Sequence, residues 1–386
     1  MQSIRKIQRR IPSSIPKPLF IHHNIIGIYD NGHNGNGNAH RKRNNGDGIR
    51  YLSSSAGPQD SNTNLAFDRS LKTLQRSNIS HHTSYDYLKK EVASRLVDRL
   101  DDIIREDGFP LALDIGSGPG HLYRQIVKDD GINGDGGIGG VRKLVMLDSC
   151  HDMLHRDDQE HESLSDEEKA RCGSYKLVGD EEATLPFPDG TFDLVISSSA
   201  MHWVNNLPGL WSEIKRVLKP DGCFMFAMVG GATLSELRSS LVLAEMERDG
   251  GVSPHVGPFV DFSDVGALLT NAGFNLTTVD IDTIKLGYPN AMICMEHLQR
   301  MGENNACLSR RPTMSADTFL ASACIYDEMF QLEGQEPHEN DIEATVQIIY
   351  GIGWTPHESQ QQPKERGSAT QKIGEVVVEQ SSNNNQ

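Results

Sequence analysis

The stretch Leu111–Val127, LALDIGSGPGHLYRQIV, combines residue types that suit a ligand site. An acid, Asp114, stands just before three glycines at alternate positions, which are Gly116, Gly118 and Gly120. Glycine adopts positive φ readily and lets a ligand approach the backbone closely. A P-loop is excluded because no Gly-Lys-Ser/Thr follows, and His121 stands where a dinucleotide GxGxxG motif needs its last glycine. The pattern is DxGxGxG, which predicts a different ligand.

This spacing resembles the first motif of S-adenosylmethionine (SAM) methyltransferases, whose cofactor has no pyrophosphate. Two further acids stand at the ends of the next predicted strands, Asp148 and Asp180, and Glu181 is beside the second. Ligands of open α/β sheets bind beyond the carboxyl ends of the strands. We therefore expect Asp148 to accept both ribose hydroxyls, and Asp180 or Glu181 to reach the adenine amino group. The alternative is that each acid only caps the next helix.

A polar and an aromatic residue follow the fourth predicted strand, within Ser197–Val204. His202 could act as a general base and Trp203 could stack on a guanidinium group. The alternative is that Trp203 packs against the sheet while His202 bonds to a loop carbonyl. No metal site is predicted, because there is no CxxC pair and the nearby HxD sequence at residues 155–157 lies in an acidic segment without a distal histidine.

The candidate site residues lie in a sequence that is predicted to alternate between strands and amphipathic helices. This order implies right-handed crossovers and a doubly wound α/β fold with a mostly parallel, seven-stranded sheet. One helix is predicted within residues 85–103, and two inserts, residues 131–140 and 155–173, are predicted to be surface loops. The predicted strands are Leu111–Ile115, Lys143–Asp148, Ser174–Asp180, Thr191–Ala200, Cys223–Val229, Phe274–Ile281 and Ala344–Trp354.

Charge is distributed unevenly along the 386 residues. The net charge is −16, which argues against nucleic acid as a partner. Residues 1–59 hold nine Lys or Arg and two Asp, so the remainder has 28 basic and 51 acidic residues, a net of −23. A basic, acid-poor start with Ile4, Ile7 and Ile11 at helical spacing is typical of a mitochondrial transit peptide. The alternative is a disordered basic tail. Residues 376–386 are also predicted to be disordered.

Longer motifs extend the resemblance over residues 67–374. FDLVISSSAMHWVNNLPG and LKPDG resemble the group that includes the malonyl-carrier-protein methyltransferase of biotin synthesis. AFDRSLK, YDYLKKEVASRL, PLALDIGSGPG, GDEEATLPF, LAEMERDGGVSPHVGPF and GWTPHESQQQPKERGSAT resemble more closely a family of mitochondrial complex I assembly factors with a SAM-methyltransferase fold. Ser117 and Pro119 stand where that family usually has cysteine and arginine, and Pro119 lacks a backbone donor.

The resemblance implies a class I, Rossmann-like SAM-methyltransferase domain over residues 65–375. It implies SAM as the cofactor, and we expect the site to be formed by Asp114, Gly116, Ser117, Gly118, Gly120, Asp148, Asp180 and Glu181, with His202 and Trp203 at the reaction centre. The implied activity is hydroxylation of an arginine on an iron–sulfur subunit of complex I in the matrix, with at most peripheral contact to the matrix face of the inner membrane. Two alternatives stay open: SAM-dependent methylation of a protein or small carboxylic acid, and a SAM-binding assembly chaperone without catalysis.

Overall fold

One mixed β-sheet organises the chain. The computed structural model describes residues 8–10, 65–128, 136–331, 341–361 and 367. The strands are β1 Gln8–Arg10, β2 Leu111–Ile115, β3 Lys143–Asp148, β4 Gly173–Val178, β5 Phe192–Ser198, β6 Leu218–Val229, β7 Asn275–Tyr288 and β8 Ile342–Trp354. Their order in the sheet is β1-β7-β8-β6-β5-β2-β3-β4.

The sheet confirms the doubly wound, mostly parallel fold. Strands β2 to β6 pair in parallel, whereas β8 lies between β6 and β7 and is antiparallel to both. The order reverses between β2 and β5, which lie side by side although β3 and β4 separate them in the chain. A ligand crevice is expected at this switch point, beyond the carboxyl ends of the strands.

Seven of the strands correspond to the seven predicted from the sequence. The eighth, β1, pairs in parallel with residues 285–287 of β7. It lies within the predicted transit peptide, where the isoleucine spacing predicts a helix, and these three residues are extended instead. Residues 1–7 and 11–64 lie outside the described part of the chain, as do residues 376–386. The transit peptide and the disordered tail therefore stay predictions.

Helices cover both faces of the sheet. They are α1 Arg69–Asn78, α2 Tyr87–Asp101, α3 His121–Ile126, α4 His151–Leu154, α5 Asp158–Glu162, α6 Asp166–Arg171, α7 Leu207–Val217, α8 Ser235–Arg248, α9 Phe262–Asn271, α10 Ala291–Arg300 and α11 Ala316–Met329. Alternate residues of β2 enter different clusters: Ala112 packs with α2 and α3, while Leu113 and Ile115 pack with α7 and α9. Burial on both faces explains why the strand sequence is continuously apolar.

The insert at residues 155–173 is more ordered than the sequence predicts. It contains α5 and α6 instead of forming a surface loop throughout. Asp157 is buried there and pairs with Arg124 and Arg156, so part of the acidic charge neutralises cations within the fold. In the other insert, residues 131–135 lie outside the described chain. Among the helices described, none has both the length and the hydrophobicity needed to cross a bilayer.

Candidate functional site

A cleft lies at the carboxyl ends of β2, β3 and β5, beneath α1. The glycine loop forms its floor, with φ values of 67°, 56° and 85° at Gly116, Gly118 and Gly120. These angles lie in the left-handed region that glycine tolerates. A Cβ atom on Gly116 would also lie 2.3 Å from the Cβ of Ala200, so the loop packs tightly against the segment after β5.

Asp114 presents an unpaired carboxyl group to the cleft. It is only 1% exposed, and no described residue donates a hydrogen bond to either of its oxygens. Burial, with a smaller effect of Asp148, raises the pKa of Asp114 well above its usual range. The Oγ atoms of Ser117 and Ser198 and the Oε2 of Glu181 are also buried without a partner within the described residues. Buried polar atoms are normally satisfied by protein, water or a ligand, so this set is available to a polar ligand with a cationic group.

Asp148 is fully buried and has four donors around it. Arg76 of α1 binds both carboxylate oxygens, with Nη1 at 2.9 Å from Oδ1 and Nη2 at 2.7 Å from Oδ2. The backbone N–H of Cys150 donates to Oδ1 at 2.7 Å, and that of Gly118 donates to Oδ2 at 2.8 Å. Burial alone would lower the pKa of Arg76, but Asp148 reverses this effect and raises it. The acid expected to bind ribose is thus held by Arg76, which was not among the site residues predicted from the sequence.

The two acids after β4 take different positions. The Asp180 side chain is half exposed at the rim, where its Oδ1 accepts hydrogen bonds from the Glu182 backbone and from Arg69. Glu181 is buried, lines the cleft and pairs with Arg69. Burial raises the pKa of Glu181, and Arg69 opposes this shift. The structure therefore places Glu181 at the cleft and Asp180 outside it.

Trp203 and His202 meet at another acid, Glu303. The Trp203 Nε1 donates to Glu303 Oε2 at 3.0 Å, and His202 Nε2 lies 3.4 Å from the same oxygen. Trp203 and Glu303 line the cleft, whereas His202 lies behind them. Burial lowers the pKa of His202, and Glu303 opposes this. The pair is therefore close together as expected, but only Trp203 faces the cleft.

Two lysines complete this end of the cleft. The Nζ of Lys72 lies 3.2 Å from the centroid of the Trp203 ring, and the Nζ of Lys89 lies 2.8 Å from Glu303 Oε1. Burial would raise the pKa of Glu303, but Lys89 and Lys72 hold it well below its usual range. Burial lowers the pKa of Lys72 well below its usual value, while Glu303 and the Trp203 ring favour its charged form. The face of Trp203 is thus already paired with an amine.

The cations of α1 were missed in the sequence, although a signal exists. Arg69, Lys72 and Arg76 are spaced i, i+3 and i+7, which puts them on one face of a helix. All three side chains line the cleft. Glu303 has no comparable signal, because it follows α10 in a polar segment, MGENNAC, that is separated by a hundred residues from Trp203.

Sequence comparison identifies the family. The methyltransferase-domain family matches residues 113–226, from β2 into β6. The mitochondrial arginine hydroxylase NDUFAF5 of Danio rerio is 43% identical over 323 residues, which cover 81% of this chain and 92% of the relative. The Homo sapiens protein of the same name is 42% identical over 335 residues, 85% of this chain and 89% of the relative. The chain belongs to the NDUFAF5 arginine-hydroxylase family. A malonyl-[acyl-carrier protein] O-methyltransferase of Methylovorus is also similar, with 31% identity over 273 residues, 70% of this chain and 82% of that protein.

The cleft of this NDUFAF5 family member fits SAM, the cofactor of methyltransferase domains. Asp114 offers an unpaired carboxyl group to an ammonium, the unpaired hydroxyls of Ser117 and Ser198 offer hydrogen bonds, and the glycine loop allows close approach. When bound, SAM supplies a sulfonium with an activated methyl group. The chain's own contribution is to bind this cation next to Trp203 and Glu303 and to cover it with α1.

Proposed function

We propose that this protein hydroxylates an arginine side chain on an iron–sulfur subunit during assembly of respiratory complex I in the mitochondrial matrix. Membership of the NDUFAF5 arginine-hydroxylase family supports the reaction class. The net charge of −23 over residues 60–386 supports a basic partner segment, since complementary charge favours association. Contact with the membrane is at most peripheral in this proposal.

One observation carries the assignment of arginine as the target. Trp203 and Glu303 present an aromatic face and a carboxylate side by side in the same cleft as Asp114. A guanidinium group stacks on aromatic rings and forms paired hydrogen bonds with carboxylates. Lys72 occupies this position in the structure, where its Nζ lies over the Trp203 ring and donates a hydrogen bond to the carbonyl oxygen of Gly302. The arginine would take the place of the Lys72 amine.

Hydroxylation does not use the methyl group of SAM, so the oxygen atom and the electrons must come from other reactants. With dioxygen as oxidant, one oxygen atom enters an arginine C–H bond and the other leaves as water. The step also consumes two electrons and two protons from an external reductant. Within the chain, Glu303 and Trp203 would fix the guanidinium, and α1 would exclude water from the cleft.

A second reaction, SAM-dependent methylation, is favoured by a separate observation. The methyltransferase-domain match and the similarity to a malonyl-carrier-protein methyltransferase both indicate a domain suited to methyl transfer. Such a reaction needs mainly alignment of the nucleophile with the activated methyl, and positioning can supply roughly 7–11 kcal/mol of the barrier. The target would then be a protein or a small carboxylic acid.

Mass spectrometry of the iron–sulfur subunit tests these proposals. The subunit would be isolated from cells that contain wild-type protein, no protein, or the Glu303→Gln variant. The remote Arg95→Gln variant is the control, since Arg95 pairs with Glu91 and Asp282 outside the cleft. We expect an added oxygen on one arginine that is lost without the protein and with Glu303→Gln. An added methylene would identify methylation instead, and an unmodified subunit with assembly still dependent on the protein would identify a chaperone.

A further inference from the structure

The Asp148 carboxylate has no free acceptor position in this structure. Two carboxylate oxygens offer about four lone-pair sites. Here each oxygen accepts one hydrogen bond from Arg76 and one from a backbone N–H, of Cys150 at Oδ1 and of Gly118 at Oδ2. The residue is also 0% exposed. A ribose diol can therefore bind Asp148 only if existing donors leave.

Arg76 is the donor that can leave. The N–H of Gly118 belongs to the tightly packed glycine loop, and that of Cys150 lies two residues after the end of β3. Arg76, by contrast, reaches Asp148 from α1 through a flexible side chain that remains 17% exposed and lines the cleft. Water at the cleft can therefore solvate the guanidinium after it separates from Asp148, which reduces the cost of breaking the pair.

We propose that Arg76 competes with the cofactor ribose for Asp148 and so sets the affinity for the cofactor. In the free protein, the ion pair between Arg76 and Asp148 holds α1 against the end of β3. Cofactor binding displaces the Arg76 guanidinium from Asp148. This inference rests on the proposed binding of ribose by Asp148. It assigns to Arg76 a role that opposes binding, whereas a cation that simply contacts the cofactor would favour binding.

Calorimetric titration with S-adenosylhomocysteine tests the sign of this effect. We expect Arg76→Ala to bind about tenfold tighter or more than wild type, because the ribose no longer has to displace a charged partner that forms two hydrogen bonds with Asp148. Tenfold corresponds to about 1.4 kcal/mol. Arg76→Lys keeps a cation but cannot bind both oxygens, so its affinity should fall between the two. It also preserves the test if Arg76→Ala fails to fold. Arg95→Gln is the matched control and should bind like wild type.

The possible outcomes distinguish a failure of the competition by Arg76 from a failure of the proposed ribose binding by Asp148. Equal or weaker binding by both Arg76 variants would overturn competition, while leaving the cofactor assignment intact. Asp148→Asn should bind far more weakly than wild type. If Asp148→Asn bound as tightly as wild type, or if no variant bound the ligand, the ribose assignment would fail and the competition with it.

Discussion

The Trp203 indole donates a hydrogen bond to Glu303 at 3.0 Å, which joins the segment after β5 to the segment after α10. Lys89 of α2 binds the other oxygen of the same carboxylate at 2.8 Å. Lys72 of α1 lies between this acid and the Trp203 ring. Glu303 is therefore where three otherwise separate elements meet at the proposed arginine site.

Replacing Glu303 with glutamine tests its charge. The amide keeps an acceptor for Trp203 but no longer balances Lys72 and Lys89, so the free energy of unfolding should fall by about 1–3 kcal/mol. Modification of the subunit should fall by about tenfold or more, measured as the modified fraction by mass spectrometry. Glu343→Gln, which removes a pair with Lys285 on the sheet, is the control. Normal modification by Glu303→Gln would contradict the proposed guanidinium site.

Asp114→Asn should separate stability from binding. The buried, unpaired carboxyl group disfavours its own ionised form, so a neutral amide should stabilise the ligand-free protein at pH values above the raised pKa of Asp114. Urea unfolding measures this gain. The same variant should lose most of its affinity for S-adenosylhomocysteine, because its partner for the ammonium is neutral. A less stable variant with normal affinity would show that Asp114 has a structural role only.

Cofactor affinity should rise with pH. The pKa of Asp114 in the free protein lies above its ordinary value of 3.8, and a bound ammonium would favour ionisation. Binding therefore releases a proton below the raised pKa, and affinity increases as pH rises toward it. The same raised pKa means that the ligand-free fold loses stability as pH rises from 3.8 through that range.

Calorimetry in two buffers of different ionisation enthalpy measures the proton release. Glu181 also lines the cleft with a raised pKa, whereas burial lowers the pKa of His121 and keeps it neutral. Glu181→Gln should therefore retain the part of the release that comes from Asp114. A binding enthalpy that is the same in both buffers would rule out coupling between Asp114 and the cofactor.

Two substitutions of Trp203 distinguish its ring from its N–H group. Trp203→Phe keeps an aromatic face but loses the hydrogen bond to Glu303, while Trp203→Leu loses both. Cation–π contacts contribute about 0.5–2 kcal/mol, so binding of an arginine-containing subunit peptide should weaken more with leucine than with phenylalanine. Fluorescence anisotropy of a labelled peptide provides the affinities. Equal losses would indicate that packing against Phe67 and Phe259 is the main role of the ring.

His202 provides a test of general-base catalysis. It contacts Glu303 from behind the cleft, so we expect His202→Asn to reduce modification by less than about tenfold by loosening Glu303. A larger loss, together with the disappearance of a pH-dependent limb in the rate, would instead identify His202 as a base.

The sequence predicted the central parallel strands β2 and β5 well because burial on both faces leaves an apolar run that ends abruptly. β7 was predicted too short, because the predicted strand ends at Ile281 while the observed strand continues to Tyr288. The missed half alternates buried Ile284, Leu286 and Tyr288 with less buried residues, which is a period-two pattern that the sequence does contain. The glycine loop was also predictable, because positive φ requires a particular residue type. The partners of the acids could not be predicted. Arg76 and Asp148, for example, are 72 residues apart in the sequence, and they meet only because of how α1 packs over the sheet. Asp180 and Glu181 are adjacent in the chain, and only the path of the backbone after β4 decides which one faces the cleft.

The central position of β8 has a consequence for how the chain folds. Among the strands that the structure describes, β6 and β7 each obtain their antiparallel partner only from residues 342–354, near the far end of the sequence. During synthesis or translocation from the N-terminus, the strands through β7 emerge first and leave two long edges unpaired. Unpaired edges of this length promote association between chains. A premature stop before residue 342 should therefore yield aggregation instead of a partly active protein.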